Sequence, residues 1–309
     1  MNRVLNYIDA HLERPLDGAQ LADVANFSRF HFHRIFVALM GETLGSYVWR
    51  RRLEKAAFRL SCGRYETVLE TALATGFNSG EAFARAFKLK FGCTPSDWRT
   101  NTPQRLAQQA TTIGKRPGTT ESNPDQAIGN LSQASETLFD DNDISCLLTK
   151  EVVMNVRIAD LPAARVAYQR LIGPYGPAIG EFWRGTIAPW IQSNGLTGKT
   201  CYGIGYDDPS LTPANKCRYD ACVEVPEDFV ANGQSDILTL PGGRYAVMRF
   251  KGNPATLAEA WMRLTREWMQ SSGLQCDDRP CFEMFHPSTA VDPETGEFSC
   301  DICIPVRVL

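Results

Sequence analysis

The stretch GFNSGEAFARAFKLKFGCTPSDWR at residues 76–99 decides the reading of the front of this chain, because most of its pattern has already occurred once. Phe32-His33-Arg34-Ile35-Phe36, followed by Gly41 and Thr43, matches Phe83-Ala84-Arg85-Ala86-Phe87, followed by Gly92 and Thr94, at a constant offset of 51. The register extends to Ser28 with Ser79 and to Tyr47 with Trp98. Such self-similarity marks a duplicated unit. In the first unit Leu21, Val24 and Ala25, then Phe32, Ile35, Phe36 and Leu39, fall three and four apart, as on one apolar helix face. In the second, Val68, Ala72 and Leu73 precede the turn Gly76-Phe77-Asn78 and a helix running to Leu89. Ser28 and Ser79 stand where an N-cap side chain would accept from the first turn of the following helix. Two short helices about a Gly- or Asn-containing turn predict a helix-turn-helix. Tyr47 to Ser61, with Val48, Leu53, Ala56, Ala57 and Leu60, predicts a longer helix joining the two units.

Outward from this block the pattern changes twice. From Arg105 to Leu148 the sequence is poor in hydrophobic residues and carries Gly114-Lys115-Arg116-Pro117-Gly118, Ser122-Asn123-Pro124 and Asp140-Asp141-Asn142-Asp143. It offers too little apolar surface to order itself and predicts a flexible linker. Beyond it a second repeat begins. Leu161-Pro162 with Arg165, Ala167, Arg170 and Gly173 matches Leu240-Pro241 with Arg244, Ala246, Arg249 and Gly252 at an offset of 79. One residue is then dropped, and Trp183, Trp190 and Gly195 match Trp261, Trp268 and Gly273. Each copy reads as strands followed by a helix, with further strands expected at 201–206, 218–225, 281–285 and 298–308. The expectation is a multidomain chain: an all-α N-terminal domain with two helix-turn-helix units over 1–105, a linker over 106–150, and an α+β C-terminal domain over 151–309. The last is built from a duplicated β/α unit with pseudo-two-fold symmetry.

A length of 309 residues suits about two domains. No apolar run approaches the roughly 20 residues of a membrane-spanning helix, and Met1 to Ala10 lacks the features of an export signal. A cytoplasmic protein with no membrane partner is expected. Residues 1–110 carry 15 Lys and Arg against 10 Asp and Glu, whereas residues 151–309 carry 14 against 19. A basic front suits a polyanion, and an acidic back suits a neutral or cationic partner. The ten cysteines are scattered, and the single CxxC, Cys300 to Cys303, falls in a predicted strand whose alternation sends the two thiols to opposite faces. Four scattered histidines, no Ser/His/Asp or Cys/His constellation and no phosphate loop predict no metal, no cofactor and no catalysis.

A helix-turn-helix lays the early residues of its second helix on base edges in the major groove. The exposed faces here offer Arg29, Phe30, His33 and Arg34 in the first unit, and Gly80, Glu81, Ala82 and Arg85 in the second, with Lys88 and Lys90 further along. Arg can bond guanine bidentately and Glu can accept from cytosine. Arg50, Arg51, Arg52, Lys55 and Arg59 on the joining helix suit phosphates. Read alone, the Arg50–Arg52 run is more often a solvated face, and Arg34 and Arg85 could pair with carboxylates of the preceding helix.

The segment from Val68 to Arg99, with Gly76-Phe77-Asn78-Ser79, Phe83 to Lys88 and Phe91-Gly92-Cys93-Thr94-Pro95, resembles the signature of AraC/XylS transcriptional regulators. That resemblance implies a seven-helix domain reading two adjacent major grooves of double-stranded DNA. It assigns base contact to Phe30, His33, Arg34, Gly80, Glu81 and Arg85. Gly80 and Ala82 depart from the polar pattern and imply a weaker second reader. The back half resembles the GyrI-like effector-binding domain. The resemblance rests on Gly173-Pro174-Tyr175, Tyr206-Asp207-Asp208-Pro209, Arg218 to Cys222, Leu240 to Tyr245 and Pro280 to Phe285. It implies a small, cationic or aromatic effector meeting Glu283, with Trp183, Tyr206 and Tyr175 as walls, in a regulator of the activator type that also contacts RNA polymerase. By alternation Glu283 shares a face with Cys281 and Phe285, where an unpaired carboxylate costs several kcal/mol. Two other readings of that pocket stay open: a GyrI-like hydrolase using a Glu and a Tyr, and a protein-interaction module. Coupling to DNA would follow if the acidic half rests against the basic half and covers it.

Overall fold

Helix α4 (Leu44–Cys62) organises everything before the sheet. Its first part gives Leu44 and Tyr47 to a core with Leu21, Ala22, Phe32 and Phe36, and its second part gives Leu53, Ala56, Ala57 and Leu60 to a core with Ala72, Phe83 and Phe87. The two helix-turn-helix units are therefore threaded on one rod, about 28 Å long at the usual rise per residue. The computed structural model describes residues 1–62, 66–101, 154–231, 233–289, 291, 292 and 295–308; the expected linker over 106–150 lies outside them.

The first unit consists of α2 (Gly18–Val24) and α3 (Arg29–Met40), preceded by α1 (Asn2–Ala10). The second consists of α5 (Val68–Ala74) and α6 (Gly80–Phe91), after which residues 95–101 are again helical. The sequence dictates the breaks. Ser28 accepts from the His31 amide at 3.4 Å and Ser79 from the Ala82 amide at 3.2 Å, each capping the second helix of its unit. Thr67 and Glu70 form a reciprocal capping box at the start of α5. The turns need left-handed backbone, at Asn26 (φ 55°) and at Gly76 (φ 84°). The repeat partners Tyr47 and Trp98 occupy equivalent places: Tyr47 packs edge-on to Phe36 with centroids 5.4 Å apart, and Trp98 edge-on to Phe87 at 5.5 Å.

Among the described residues, nine strands form one antiparallel sheet. They are β1 (Val156–Leu161), β2 (Ala164–Ile172), β3 (Cys201–Gly205), β4 (Arg218–Glu224), β5 (Asp236–Leu240), β6 (Gly243–Gly252), β7 (Leu274–Cys276), β8 (Phe282–Phe285) and β9 (Phe298–Val308). The order β1-β6-β9-β8-β3-β4-β2-β5 reads as two equivalent halves meeting between β8 and β3, with β7 added beside β9. The first strand of each half crosses over: β1 pairs with β6, and β5 pairs with β2. Each half also carries a helix through a π-helical segment. In the first, α7 (Pro177–Phe182) runs through Trp183–Ile187 into α8 (Ala188–Ser193). In the second, α9 (Pro254–Arg263) runs through Leu264–Trp268 into α10 (Met269–Ser271). This strand order does not contradict the expected pseudo-two-fold relation. β7 escaped sequence reading because three residues are too few to display an alternation.

The sheet has two different faces. On one, Ile187, Trp190 and Leu196 cover Ala167, Tyr219, Ala221 and Val223. On the other, Val166, Tyr168, Tyr202, Ile204, Cys222, Tyr245, Phe282 and Cys303 pack among themselves, without α7–α10. Met1–Thr102 and Asn155–Leu309 cluster into a single compact unit. Among the described residues no helix is long and apolar enough to cross a membrane, and no group of three or more His, Cys, Asp or Glu is placed to hold a metal.

The two turns predict opposite tolerances. A Cβ on Gly76 would run into the Leu12 carbonyl and lie 2.7 Å from Arg52 Cζ, at a backbone conformation that alone costs an L-residue about 1–2 kcal/mol. Gly76→Ala is expected to lower stability by at least about that amount, whereas Asn26→Gly should stay within about 0.5 kcal/mol of the parent. Urea unfolding midpoints check this, and an unshifted midpoint for Gly76→Ala would show that the turn relaxes.

Candidate functional site

Each second helix presents its apolar residues inward and its polar ones to solvent. On α3, Phe32 and Phe36 are buried while Arg29, Phe30, His33 and Arg34 are exposed, Phe30 to 69%. The Arg34 guanidinium lies over the Phe30 ring at 5.7 Å. On α6, Phe83 and Phe87 are buried while Glu81, Arg85 and Lys88 are exposed, and Gly80 is half-buried against Leu69. The structure thus gathers eight of the nine expected DNA-contacting positions on the outer faces of two capped helices.

Arg51 is the exception. It is 8% exposed and bonds Asp9 Oδ1 at 3.1 Å, Glu54 Oε2 at 3.2 Å and Asp207 Oδ1. Its neighbours are also committed. Arg50 pairs with Glu42 at 2.6 Å and Glu54 at 3.0 Å, Arg52 bonds the Leu12 and Arg14 carbonyls, and Arg59 pairs with Glu66 and Asp278. Three consecutive helical residues span about 200° of the helix surface. They therefore meet three different neighbours instead of forming one basic stripe for phosphates.

The second site lies under the paired helices of the sheet. Glu283 on β8 stands opposite Gly203 on β3. Trp261 Nε1 donates to Glu283 Oε1 at 2.9 Å, and the Tyr219 hydroxyl donates to Oε2 at 3.3 Å. Trp183 Nε1 in turn donates to the Tyr219 hydroxyl at 3.1 Å. A side chain on Gly203 would collide with that hydroxyl and come within 2.7 Å of Oε2, so the strand contributes space where its partner contributes the carboxylate. Phe285 flanks Trp183 at 5.8 Å between centroids, and Tyr175 stands edge-on to Tyr219 at 6.3 Å. Burial pushes the Glu283 carboxyl up to about 7, against the opposing pull of the Trp261 and Tyr219 hydrogen bonds. Among the described residues no cationic side chain offsets that burial.

Of the expected walls, Trp183 and Tyr175 are at this site and Tyr206 is not. Tyr206 continues the parity of Ile204, on the sheet face opposite Gly203 and Glu283. Its ring lies 4.7 Å from the Arg170 guanidinium and 5.3 Å from that of Arg218. Tyr219 and Trp261 were missed. Trp261 is the repeat partner of Trp183, so the register of the repeat already contained it; Tyr219 was hidden inside the charged triplet Arg218-Tyr219-Asp220.

The helix-free sheet face meets the helical module through charge. Arg218, 1% exposed, bonds Asp9 Oδ2 at 2.5 Å, the Tyr47 hydroxyl at 2.9 Å and Asp207 at 2.9 and 3.0 Å. With Arg51 this makes a ring of alternating sign: Asp9, Arg51, Asp207, Arg218. Burial alone would raise the Asp9 carboxyl, but Arg218 and Arg51 hold it down at about 2. Asp207 is likewise held below the carboxylate range by Arg51 and Arg218 in spite of its burial. Beside the ring, Arg170 binds Asp220 at 2.6 and 2.7 Å and the Asn6 side-chain oxygen at 2.8 Å.

Residues 154–307 match the family described as GyrI-like small molecule binding domain, and residues 21–101 match the family described as Helix-turn-helix domain. YosT, an SPbeta prophage-derived protein of Bacillus subtilis (strain 168) named for transcriptional regulation, is 31% identical over 155 residues, which are 50% of this chain and 100% of the relative. The Transposon Tn10 TetD protein of Escherichia coli is 40% identical over 98 residues, 32% of this chain and 70% of the relative. A crystal structure of a transcriptional regulator with an AraC-type DNA-binding domain from Chromobacterium violaceum has 26% identity and a TM-score of 0.32, covering 33% of this chain and 91% of that one. The chain belongs to the AraC-type transcriptional regulators, with a GyrI-like small-molecule-binding domain following its DNA-binding module.

Proposed function

We propose that this regulator reads two adjacent major grooves with α3 and α6 and acts as an activator governed by a cationic, aromatic effector at Glu283. The observation that carries the effector class is the buried carboxylate whose near partners are the neutral donors Trp261 and Tyr219. Neutral donors leave the charge of an ionised Glu283 uncompensated, and its carboxyl is accordingly raised to about 7. A bound cation would supply the missing charge, and the surrounding indoles would add about 0.5–2 kcal/mol of cation–π attraction per contact. As an activator the protein would also meet RNA polymerase. The Tyr219–Glu283 pair favours a second reading, hydrolysis with Glu283 as general base, and turnover of a reactive ester in place of stoichiometric binding would establish it.

Two measurements test the main reading. For a duplex enriched from a random pool by the full chain, Arg34→Ala and Arg85→Ala should each cost about 1–3 kcal/mol and relax sequence preference. Lys88→Ala should instead weaken all duplexes alike and reduce the salt slope by about 1. Parent-like preference in both arginine variants would remove α3 and α6 from base reading.

The second concerns pH. A cation needs Glu283 ionised, so affinity for tetraphenylphosphonium should fall as pH drops below 7, towards about tenfold per unit, and level off above it. Glu283→Gln should bind more weakly and with no such dependence. Fluorescence titrations from about pH 5.5 to about 8.5 check this, and an unaltered profile in Glu283→Gln would dismiss the carboxylate.

A further inference from the structure

Resting on that reading of Glu283, we propose that the sheet domain is a splint for the DNA-reading module: it grips α4 along its length, and occupancy at Glu283 alters that grip through β4. The grip is visible at three places. Where α3 passes into α4, Lys216 pairs with Glu42 at 3.1 Å. At mid-helix Asp207 holds Arg51, and Arg218 holds the Tyr47 hydroxyl. Towards the far end Asp278 pairs with Arg59 at 2.9 Å and Lys55 at 3.6 Å. Since α4 carries both helix-turn-helix cores, fixing its whole length fixes one reader against the other. At the first grip a cleft of about 640 Å³, lined by Trp49, Arg50, Lys90 and Lys216 among others, also brings the end of α6 beside the sheet domain.

Docking does not hide the readers. Arg29, Phe30, His33 and Arg34 on α3, and Glu81, Arg85 and Lys88 on α6, are exposed with the sheet domain in place. Coverage of the basic half by the acidic half, one of the sequence expectations, is therefore not the form the contact takes; the contact is made with the rod between the readers.

The connection to Glu283 follows from strand alternation. Tyr219 points to the effector site and donates to Glu283, while its neighbours Arg218 and Asp220 point to the opposite face and the helical module. A shift of β4 on one face is thus a shift on the other. Tyr175 braces the same point: its hydroxyl donates to the Arg218 carbonyl at 2.6 Å and accepts from the Asp207 amide at 3.2 Å, while its ring stands against Tyr219. From Arg218 the contact passes to Tyr47 and, edge to face, to Phe36 of α3. Displacing one ring member while the others stay buried leaves charge uncompensated, so a shift of Arg218 is felt at Arg51 and Tyr47 of α4.

The test uses the full chain, tetraphenylphosphonium and the enriched duplex. The variant is Asp9→Asn, which removes one charge from the ring without touching either binding site; Asp278→Ala at the exposed end of α4 serves should Asp9→Asn fail to fold. In the parent, saturating tetraphenylphosphonium should change duplex affinity by about fivefold or more, and the duplex should change tetraphenylphosphonium affinity by the same factor. In the variant each partner should still bind, with the mutual effect reduced to less than about twofold. Hydrogen exchange, needing no ligand, should quicken over residues 44–62 and 218–224 in the variant. Equal coupling in parent and variant, or binding of both partners to the parent without mutual effect, would overturn the splint while leaving Glu283 as the effector site. Failure of tetraphenylphosphonium to bind would instead remove the Glu283 reading, and unchanged exchange would then dismiss the grip on α4 as well.

Discussion

The alternating ring of Asp9, Arg51, Asp207 and Arg218 is the constraint on which the assembled molecule turns. Each arginine touches both carboxylates, so no member has a single partner to exchange. Taking four charges out of water is expensive, and their mutual attraction offsets that cost only while the geometry is intact. Removing one partner from a buried set typically costs about 3–5 kcal/mol, whereas replacing the set by well-packed apolar residues is often neutral. The ring is thus weak as a source of stability and strong as a specification of register: an apolar interface could slide along α4, and this one cannot.

Corresponding strand pairs in the two parts of the sheet are used differently. Arg170 faces Asp220 directly across β2 and β4, and Arg249 faces Asp301 directly across β6 and β9, the equivalent strands of the other half. The first pair is sealed by Asn6 of α1; in the second, a buried Asp301 lies beneath the exposed Arg249 and Arg157, with His286 also joining it. The Arg170–Asp220 pair lies at the contact with α1, and the Arg249–Asp301 pair does not. At the junction of the halves, β8 supplies Glu283 and β3 supplies Gly203. The tryptophans at matching positions take different partners: Trp261 donates to the Glu283 carboxylate, and Trp183 donates to the Tyr219 hydroxyl beside it.

Much of this was legible in the sequence, for local reasons. Ser28 and Ser79 announce helix starts because an N-cap bond spans three residues, and Phe32, Phe36, Phe83 and Phe87 announce core because helical periodicity is local. The failures concern distance. Arg51 reads as a phosphate contact until Asp207, 156 positions later, is brought beside it. Tyr206 reads as a pocket wall until the parity of β3 is fixed by Gly203 facing Glu283. Neither fact is contained in the spacing of neighbouring residues. Trp261 belongs to a different class, since the repeat encoded its equivalence to Trp183.

On the proposed reading, the neutral company of Glu283 is what would make it receptive to a cation. A buried carboxylate with a cationic partner of its own, such as Asp207 with Arg51 and Arg218, is held well ionised and has nothing left to recruit. Glu283 has neutral donors instead, enough to orient both oxygens and too little to stabilise the charge, so its carboxyl rises to about 7. The carboxylate is oriented while its electrostatic deficit remains. Asp207 and Glu283 thus differ by the company they keep: full charge compensation makes Asp207 a structural contact to α4, and incomplete compensation at Glu283 is what the proposed cationic effector would meet.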